Sequence, residues 1–249
     1  MKLGRCELER KFWEEVAPKW NNEIFDTLAE DRGGVISGTI HGLARHGQIV
    51  ADFGCGVGRY MPLLSANFQR VFALDWATAC LQRARLRARR FPNVEVLRTS
   101  PRVLAALSCK CDVTVAVHVA THPRQKARQR MLSQAVSLTR RGGWLLIVTP
   151  SLESAHYAEA VRRILHPNLK SDFGFGKYHV SREPGVLALG GQPTKHYIAE
   201  EILLLLRMLG CVPIEPRRVE YSWRIHSAGV PRRFAASRPW DWLVLAQRE

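Results

Sequence analysis

The period of apolar positions changes several times along the chain. In "LERKFWEEVAPKWNNEIFDTLAED", Phe12, Trp13, Val16, Trp20, Ile24, Phe25 and Leu28 recur at mostly three- and four-residue steps, the spacing of a helix stripe. Pro18 is expected to kink or break this stretch in two. After "DRGG", a short helix over about 35–45 leads into the strand "QIVADF". Further strands are predicted at "RVFALDW", "VEVL", "DVTVAVHV" and "WLLIVTP". Helices are predicted between them: one containing Met61, Leu63 and Leu64, then 77–90, 101–107 and roughly 124–139, with "RRGG" expected as the C-cap of the last. Apolar strands alternating with helices require a sheet covered on both faces. The expected fold class is α/β, a doubly wound, mostly parallel sheet.

From residue 151 the rhythm breaks. A helix over "SAHYAEAVRRIL" precedes an irregular stretch to 196 that carries Phe173, Phe175 and Tyr178, with Tyr197 just beyond it. Long irregular segments inside compact domains are usually functional lids or disordered insertions, and these aromatics argue for an ordered cover. The helix "IAEEILLLLRMLG" ends at Gly210, and "VEYSWRI" and "WDWLVLAQ" read as an antiparallel hairpin at the sheet edge. The expected organisation is a single domain over 1–249, with a helical cap over 1–45 and a substrate cover inserted at 151–196.

A chain of 249 residues, 46% hydrophobic, can bury one sizeable core. The longest apolar runs, "WLLIV" and "ILLLL", fall far short of the roughly 20 residues that span a bilayer. The start has no apolar h-region, so a cytoplasmic protein without membrane contact is expected. Six cysteines form no C-x-x-C pair, which favours reduced thiols and no metal. The 37 basic and 22 acidic residues leave a net charge of +15, which suits a nucleic acid, an anionic membrane surface or an acidic substrate. The excess is mostly arginine spread along the chain, as in a solvated surface. It concentrates in "RARLRARR" and "RQKARQR"; arginines 83, 85, 87, 89 and 90 cannot share one helix face, but a phosphate-tracking stripe there would make RNA the substrate.

"IVADFGCGVGRYMPLL", residues 49–64, places Gly54, Gly56 and Gly58 between a strand and a helix. Glycine costs backbone entropy, so such a cluster is expected where the chain turns sharply or a ligand approaches the main chain. The crevice at the carboxyl end of a parallel strand is where nucleotide-like ligands bind. A dinucleotide motif needs its third glycine at position 59, where this chain has Arg59. "DFGCGVG" instead resembles motif I of the class I S-adenosylmethionine-dependent methyltransferases, with Asp52 ahead of the glycines. "RVFALDWA" is similar to the family's second strand, "DVTVAVHVATH" falls at its fourth-strand motif, and "LTRRGGWLLIVTP" resembles its helix, glycine pair and fifth strand.

The resemblance implies a Rossmann-like sheet of seven strands with a terminal antiparallel hairpin, and S-adenosyl-L-methionine as cofactor. It implies cofactor contacts from Asp52, Gly54, Cys55, Gly56, Gly58, Tyr60, Asp75, Trp76, Thr99, Ser100 and His118. Asp75 would pair with both ribose hydroxyls and Trp76 would lie next to the adenine. A carboxylate can accept two charge-assisted bonds from a vicinal diol, which suits Asp75 to that task. Thr99 and Ser100 stand where many relatives have an acidic residue for the adenine amino group, so a hydroxyl or backbone carbonyl would substitute.

Methyl transfer from a sulfonium is an in-line displacement governed by positioning, and a general base is needed only if the nucleophile must lose a proton. Candidates are His118 and His122 after the fourth strand, and His156, Tyr157, Tyr178, His179 and His196 in or beside the cover. His118 comes first, with His122, Tyr178 and His179 completing the catalytic set. Trp13, Trp20 and Tyr60 could face the sulfonium or form a helix's core stripe. The fourth strand lacks an Asn-Pro-Pro-Tyr type of motif, which disfavours amino methylation of DNA bases or glutamine, and no carboxylate cluster near Asp112 suggests magnesium. The expected activity is methylation of a small organic molecule, with an acidic group as one option. The alternatives are an RNA (tRNA) methyltransferase and a cofactor-binding protein without turnover.

Overall fold

The computed structural model describes residues 14–15, 17–19, 25–44, 48–168, 183–189, 192–223 and 238–249. After a 3-10 turn at Ala17–Lys19 come α1 (Thr27–Glu30) and α2 (Val35–Leu43). The first half of the sheet unit follows as β1 (Ile49–Phe53), α3 (Met61–Asn67), β2 (Arg70–Asp75), α4 (Thr78–Ala88), β3 (Val94–Arg98) and α5 (Pro101–Leu107). The second half runs β4 (Cys111–Val117), α6 (Gln125–Leu138), β5 (Thr139–Pro150) and α7 (Leu152–Leu165). The chain closes with β6 (Val186–Leu189), β7 (Gln192–Lys195), α8 (Ala199–Met208), β8 (Cys211–Pro213), β9 (Arg217–Glu220) and β10 (Trp240–Arg248).

The main sheet runs β3-β2-β1-β4-β5-β10, with β8 and β9 both pairing along β10, so eight strands fill seven positions. β1 to β5 are parallel, and β10 is antiparallel to β5 with Asp241 opposite Pro150. The expected doubly wound sheet is therefore present. Strand order reverses between β1 and β4, and in such sheets the crevice at that switch point takes the ligand.

Alternation along the strands divides the core into two layers. Val50, Val113, Val115, Leu146, Val148 and Leu243 pack with Ile36, Ile40 and Leu43 of α2 and Leu64 of α3. Ala51, Phe53, Leu145, Ile147 and Val244 pack with Leu132, Ala135 and Val136 of α6 and Ile202 and Leu206 of α8.

Three expectations need correction. "RRGG" does not cap α6: its C-cap is Thr139, and Arg248 donates to the carbonyls of Val136 at 2.9 Å and Thr139 at 2.5 Å. The two glycines form a bulge, because pairing with β4 jumps from Cys111–Thr139 to Val113–Trp144. Gly142 there has φ +69°, and a Cβ on Gly143 would lie 2.8 Å from the Asp112 carbonyl oxygen. β9 and β10 do pair antiparallel, but β10 lies between β5 and β8/β9 rather than at the edge, and the short strand at 211–213 was not anticipated. Within 151–196, the stretch read as irregular contains the antiparallel hairpin β6–β7.

Candidate active site

β1 delivers Asp52 and Phe53 to the carboxyl edge of the sheet, where Gly54, Gly56 and Gly58 all adopt positive φ, at +80°, +53° and +79°. Gly54 is required twice over, since a Cβ there would meet Val119 Cγ2 at 2.5 Å. The turn is pinned to β2: the amides of Gly54 and Cys55 donate to the Leu74 carbonyl at 2.7 and 2.9 Å. Cys55 packs its thiol with Met61, Ala73 and Ala84, and burial pushes that thiol up well above its ordinary range.

Asp75 ends β2. Its Oδ2 accepts from Gly56 N–H at 2.8 Å, and its Oδ1 accepts from Trp76 and Ala77 N–H at 2.7 and 2.9 Å. Burial raises its pKa, while those three amides pull the other way. A carboxylate offers about four acceptor sites, so the fixed carboxylate retains room for one further donor at Oδ2. A diol contacting it with both hydroxyls must share or displace an amide.

Asp52 is buried with Oδ2 unpartnered among the described residues, and so is the hydroxyl of Tyr60. Burial first, then the charge of Asp75, raises the Asp52 carboxyl from its ordinary 3.8 to about 7. Tyr60 is likewise held well above its usual range by burial and by Asp52. Unpartnered buried polar atoms are costly. A carboxylate and a hydroxyl left open beside a glycine turn fit a ligand carrying a cationic group.

Residues 14 and 17–18 contact the start of α4 and the glycine turn. Glu14 accepts from the N–H groups of Thr78 and Ala79, both at 2.7 Å, at the start of α4. Arg83 donates to the carbonyls of Ala17 at 2.6 Å and Pro18 at 2.7 Å, and buried Ala17 packs on Val57, Ala77 and Cys80. Arg87 donates to the Gly58 carbonyl at 3.1 Å. Two of the five arginines considered for RNA thus hold the glycine turn and its cover.

Of the remaining cofactor candidates, Trp76 is half-buried beside Asp75. Ser100 is the N-cap of α5, accepting from Val103 N–H, and the Thr99 amide donates to the Asp75 carbonyl at 2.7 Å. The helix cap already accounts for Ser100.

His118 lies one residue past β4 with φ +55°, a conformation in which a non-glycine side chain is strained. Its Nε2 is 2.6 Å from Asp241 Oδ2, and its Nδ1 is 3.5 Å from Thr27 Oγ1. Tyr221 donates to the same Asp241 oxygen at 2.8 Å. His196 is buried next to this group, and burial lowers it to about 4. His122 accepts at Nδ1 from Arg124 N–H at 2.8 Å, which places it in the turn into α6. His156 is exposed on α7, and Tyr157 stacks near Trp223 and Trp240 at 5.7 and 6.1 Å. Tyr178, His179, Trp13 and Trp20 lie outside the described residues.

Residues that the sequence reading missed are Glu14, Arg83, Thr27, Tyr221 and Asp241. Asp241 alone left a signal: a carboxylate inside the otherwise apolar strand "WDWLVLA". Among the described residues, no group of three or more His, Cys, Asp or Glu side chains could hold a metal ion, and no helix is long and apolar enough to cross a membrane.

The architecture and the crevice define a class I methyltransferase fold. The family model for a methyltransferase domain matches residues 50–143, from β1 into β5. Among curated proteins none matches the chain significantly. Solved structures share the fold. A SAM-dependent methyltransferase from Methanosarcina mazei is 19% identical, with a TM-score of 0.63 over 84% of this chain and 96% of that one. The 1,6-didemethyltoxoflavin-N1-methyltransferase of Burkholderia thailandensis, solved with 1,6-didemethyltoxoflavin and S-adenosylhomocysteine, is 18% identical, with a TM-score of 0.64 over 100% and 92%. The magnesium protoporphyrin IX methyltransferase of Synechocystis, solved with S-adenosylmethionine, is 16% identical, with a TM-score of 0.60 over 100% and 99%.

Proposed function

We propose that the protein transfers the methyl group of S-adenosylmethionine to a small organic molecule. The observation that carries this reading is the glycine turn with its open Asp52 and Tyr60 and its fixed Asp75, set beside the His118–Asp241 pair. The cofactor supplies an electrophilic methyl group on a sulfonium. Asp52 would hold a cationic group, Asp75 would accept from a ribose hydroxyl, and the main chain at Gly54, Cys55, Gly56 and Gly58 would line the ligand. Glu14 and Arg83 would keep the N-terminal segment over it and exclude water. His118 would face the acceptor side, where alignment with the methyl group sets the rate.

Small-molecule use is favoured by how the arginines are spent. Arg83, Arg87, Arg128 and Arg248 donate to backbone carbonyls, and Arg59, Arg70 and Arg140 pair with Asp26, Glu95 and Asp112. Two of the named neighbours are described with small-molecule substrates, consistent with the same use here. Calorimetric titration with S-adenosylhomocysteine tests the cofactor assignment. Binding weakened by roughly 30-fold in a folded Asp75→Asn variant is expected, and unchanged affinity in that variant would remove Asp75 from the site.

A further inference from the structure

The His118 pair constrains the acceptor. An ionised carboxylate only accepts hydrogen bonds, so at 2.6 Å from Asp241 Oδ2 the Nε2 of His118 carries the hydrogen. In the neutral form of the ring the lone pair is then at Nδ1, whose neighbour is the Thr27 hydroxyl at a loose 3.5 Å. Tyr221 donates to the same carboxylate oxygen at 2.8 Å, fixing the side chain that fixes the ring. The His118 side chain remains 28% exposed while Asp241 is 12% exposed, so the imidazole is reachable and its partner is shielded. Three elements far apart in sequence, the end of β4, the residue after β9 and the start of β10, converge on one tautomer.

We propose that Asp241 and Tyr221 are positioning residues that hold His118 as a proton acceptor at Nδ1, and that the substrate therefore presents an atom bearing a weakly acidic proton, a phenol-like hydroxyl or an acidic ring N–H. This inference rests on the methyl-transfer reading. The acceptor's O–H or N–H bond breaks with its proton passing to Nδ1, and the electron pair left behind forms the new bond to the methyl carbon. The bond from that carbon to sulfur breaks with its electrons staying on sulfur, leaving a neutral thioether. The imidazolium is stabilised by Asp241 and returns its proton to water. A carboxylate or thioether acceptor has no proton to lose and would give the ring nothing to do.

The charged and titratable groups around His118 fit this role. Asp241 comes from β10, Tyr221 follows β9, and Thr27 comes from α1. His196, beyond β7, donates from Nδ1 to the Thr194 carbonyl at 3.0 Å, and with its pKa lowered to about 4 it is neutral at pH 7 and does not repel an imidazolium. Tyr60, held above its usual range first by burial and then by Asp52 and other carboxylates that include Asp241, is also neutral there.

Two measurements test the proposal. Nitrogen-15 histidine spectra of the protein with S-adenosylhomocysteine should show His118 as the Nε2–H tautomer, with that preference lost in Asp241→Asn and weakened in Tyr221→Phe. An Nδ1–H tautomer in the wild type would overturn the proposal while leaving the cofactor reading intact. The second uses carbon-13 methyl-labelled S-adenosylmethionine with a host-cell extract at pH 7 and pH 9.5. Asp241→Asn should bind S-adenosylhomocysteine as the wild type does, and both His118→Gln and Asp241→Asn should lose about 100-fold or more in label transfer at pH 7 with S-adenosylmethionine saturating. Much of that loss should be recovered at pH 9.5, where an acceptor ionises unaided, a pH signature that a purely structural tie would not produce. Label on a carboxylate or thioether, or a loss that ignores pH, would overturn the proposal. Absence of any label with the wild type would instead sink the methyl-transfer reading beneath it.

Discussion

Asp52→Asn tests the electrostatics of the cofactor site. In the folded protein the Asp52 carboxyl titrates at about 7 rather than 3.8, chiefly because burial disfavours its charged form. The sign follows from proton counting: between about pH 4 and pH 7 the folded state holds a proton that the unfolded chain has released, so stability falls as pH rises through that window. At roughly 1.4 kcal/mol per tenfold change in proton affinity, the gap corresponds to at most about 4 kcal/mol at pH 8. Asparagine cannot ionise, so the variant without ligand should be more stable than the wild type at pH 8 by up to that amount, roughly 10 °C in Tm for a chain of this size. Near pH 4 the two should be nearly equal. S-adenosylhomocysteine, whose ammonium can pair with Asp52, should reverse the order, with wild-type affinity rising towards pH 7 and the variant binding weakly at every pH. Thermal unfolding at pH 4.5 and 8, with and without S-adenosylhomocysteine, reads both effects. A variant less stable than wild type at pH 8, or a wild type whose stability is flat between these values, would refute a buried, unpartnered Asp52.

Other perturbations bear on the same site. Gly54→Ala should destabilise the protein by about 1–3 kcal/mol, from the positive φ and the clash with Val119, as read by denaturant midpoint, and Val119→Ala should restore part of the loss. Asp75→Asn should weaken S-adenosylhomocysteine binding by about 2 kcal/mol, measured by calorimetry, because a charge-assisted acceptor becomes a neutral amide. Glu14→Gln, which loosens the N-terminal segment from α4, should speed S-adenosylhomocysteine dissociation in stopped flow more than it slows association. An unchanged off-rate would show that the segment does not cover the ligand.

The parallel half of the fold was legible because its strands are largely apolar, with apolar–polar alternation in β3, and are separated by helical spacing and turn residues. The glycine turn was legible because its three positive-φ positions leave a residue-type signature. What escaped is long-range. Glu14 caps a helix 64 residues away, and Asp241 meets His118 across 123 residues, contacts that no local period encodes. The glycine pair at 142–143 was misread because a bulge and a C-cap call for the same residue. The strand at 211–213 is too short to show alternation. The sequence points to Asp75 as a diol acceptor, whereas its hold on three turn amides, with one acceptor site to spare, depends on the fold.

The most direct measurement is to incubate the protein with methyl-labelled S-adenosylmethionine and a host-cell extract and to separate the products by mass and ribonuclease sensitivity. The account requires label in a low-molecular-weight, ribonuclease-insensitive product that falls with Asp75→Asn at sub-saturating S-adenosylmethionine. Label in RNA, with transfer falling steeply as salt rises, would contradict it and make the exposed arginines of α4 and α6 the substrate surface.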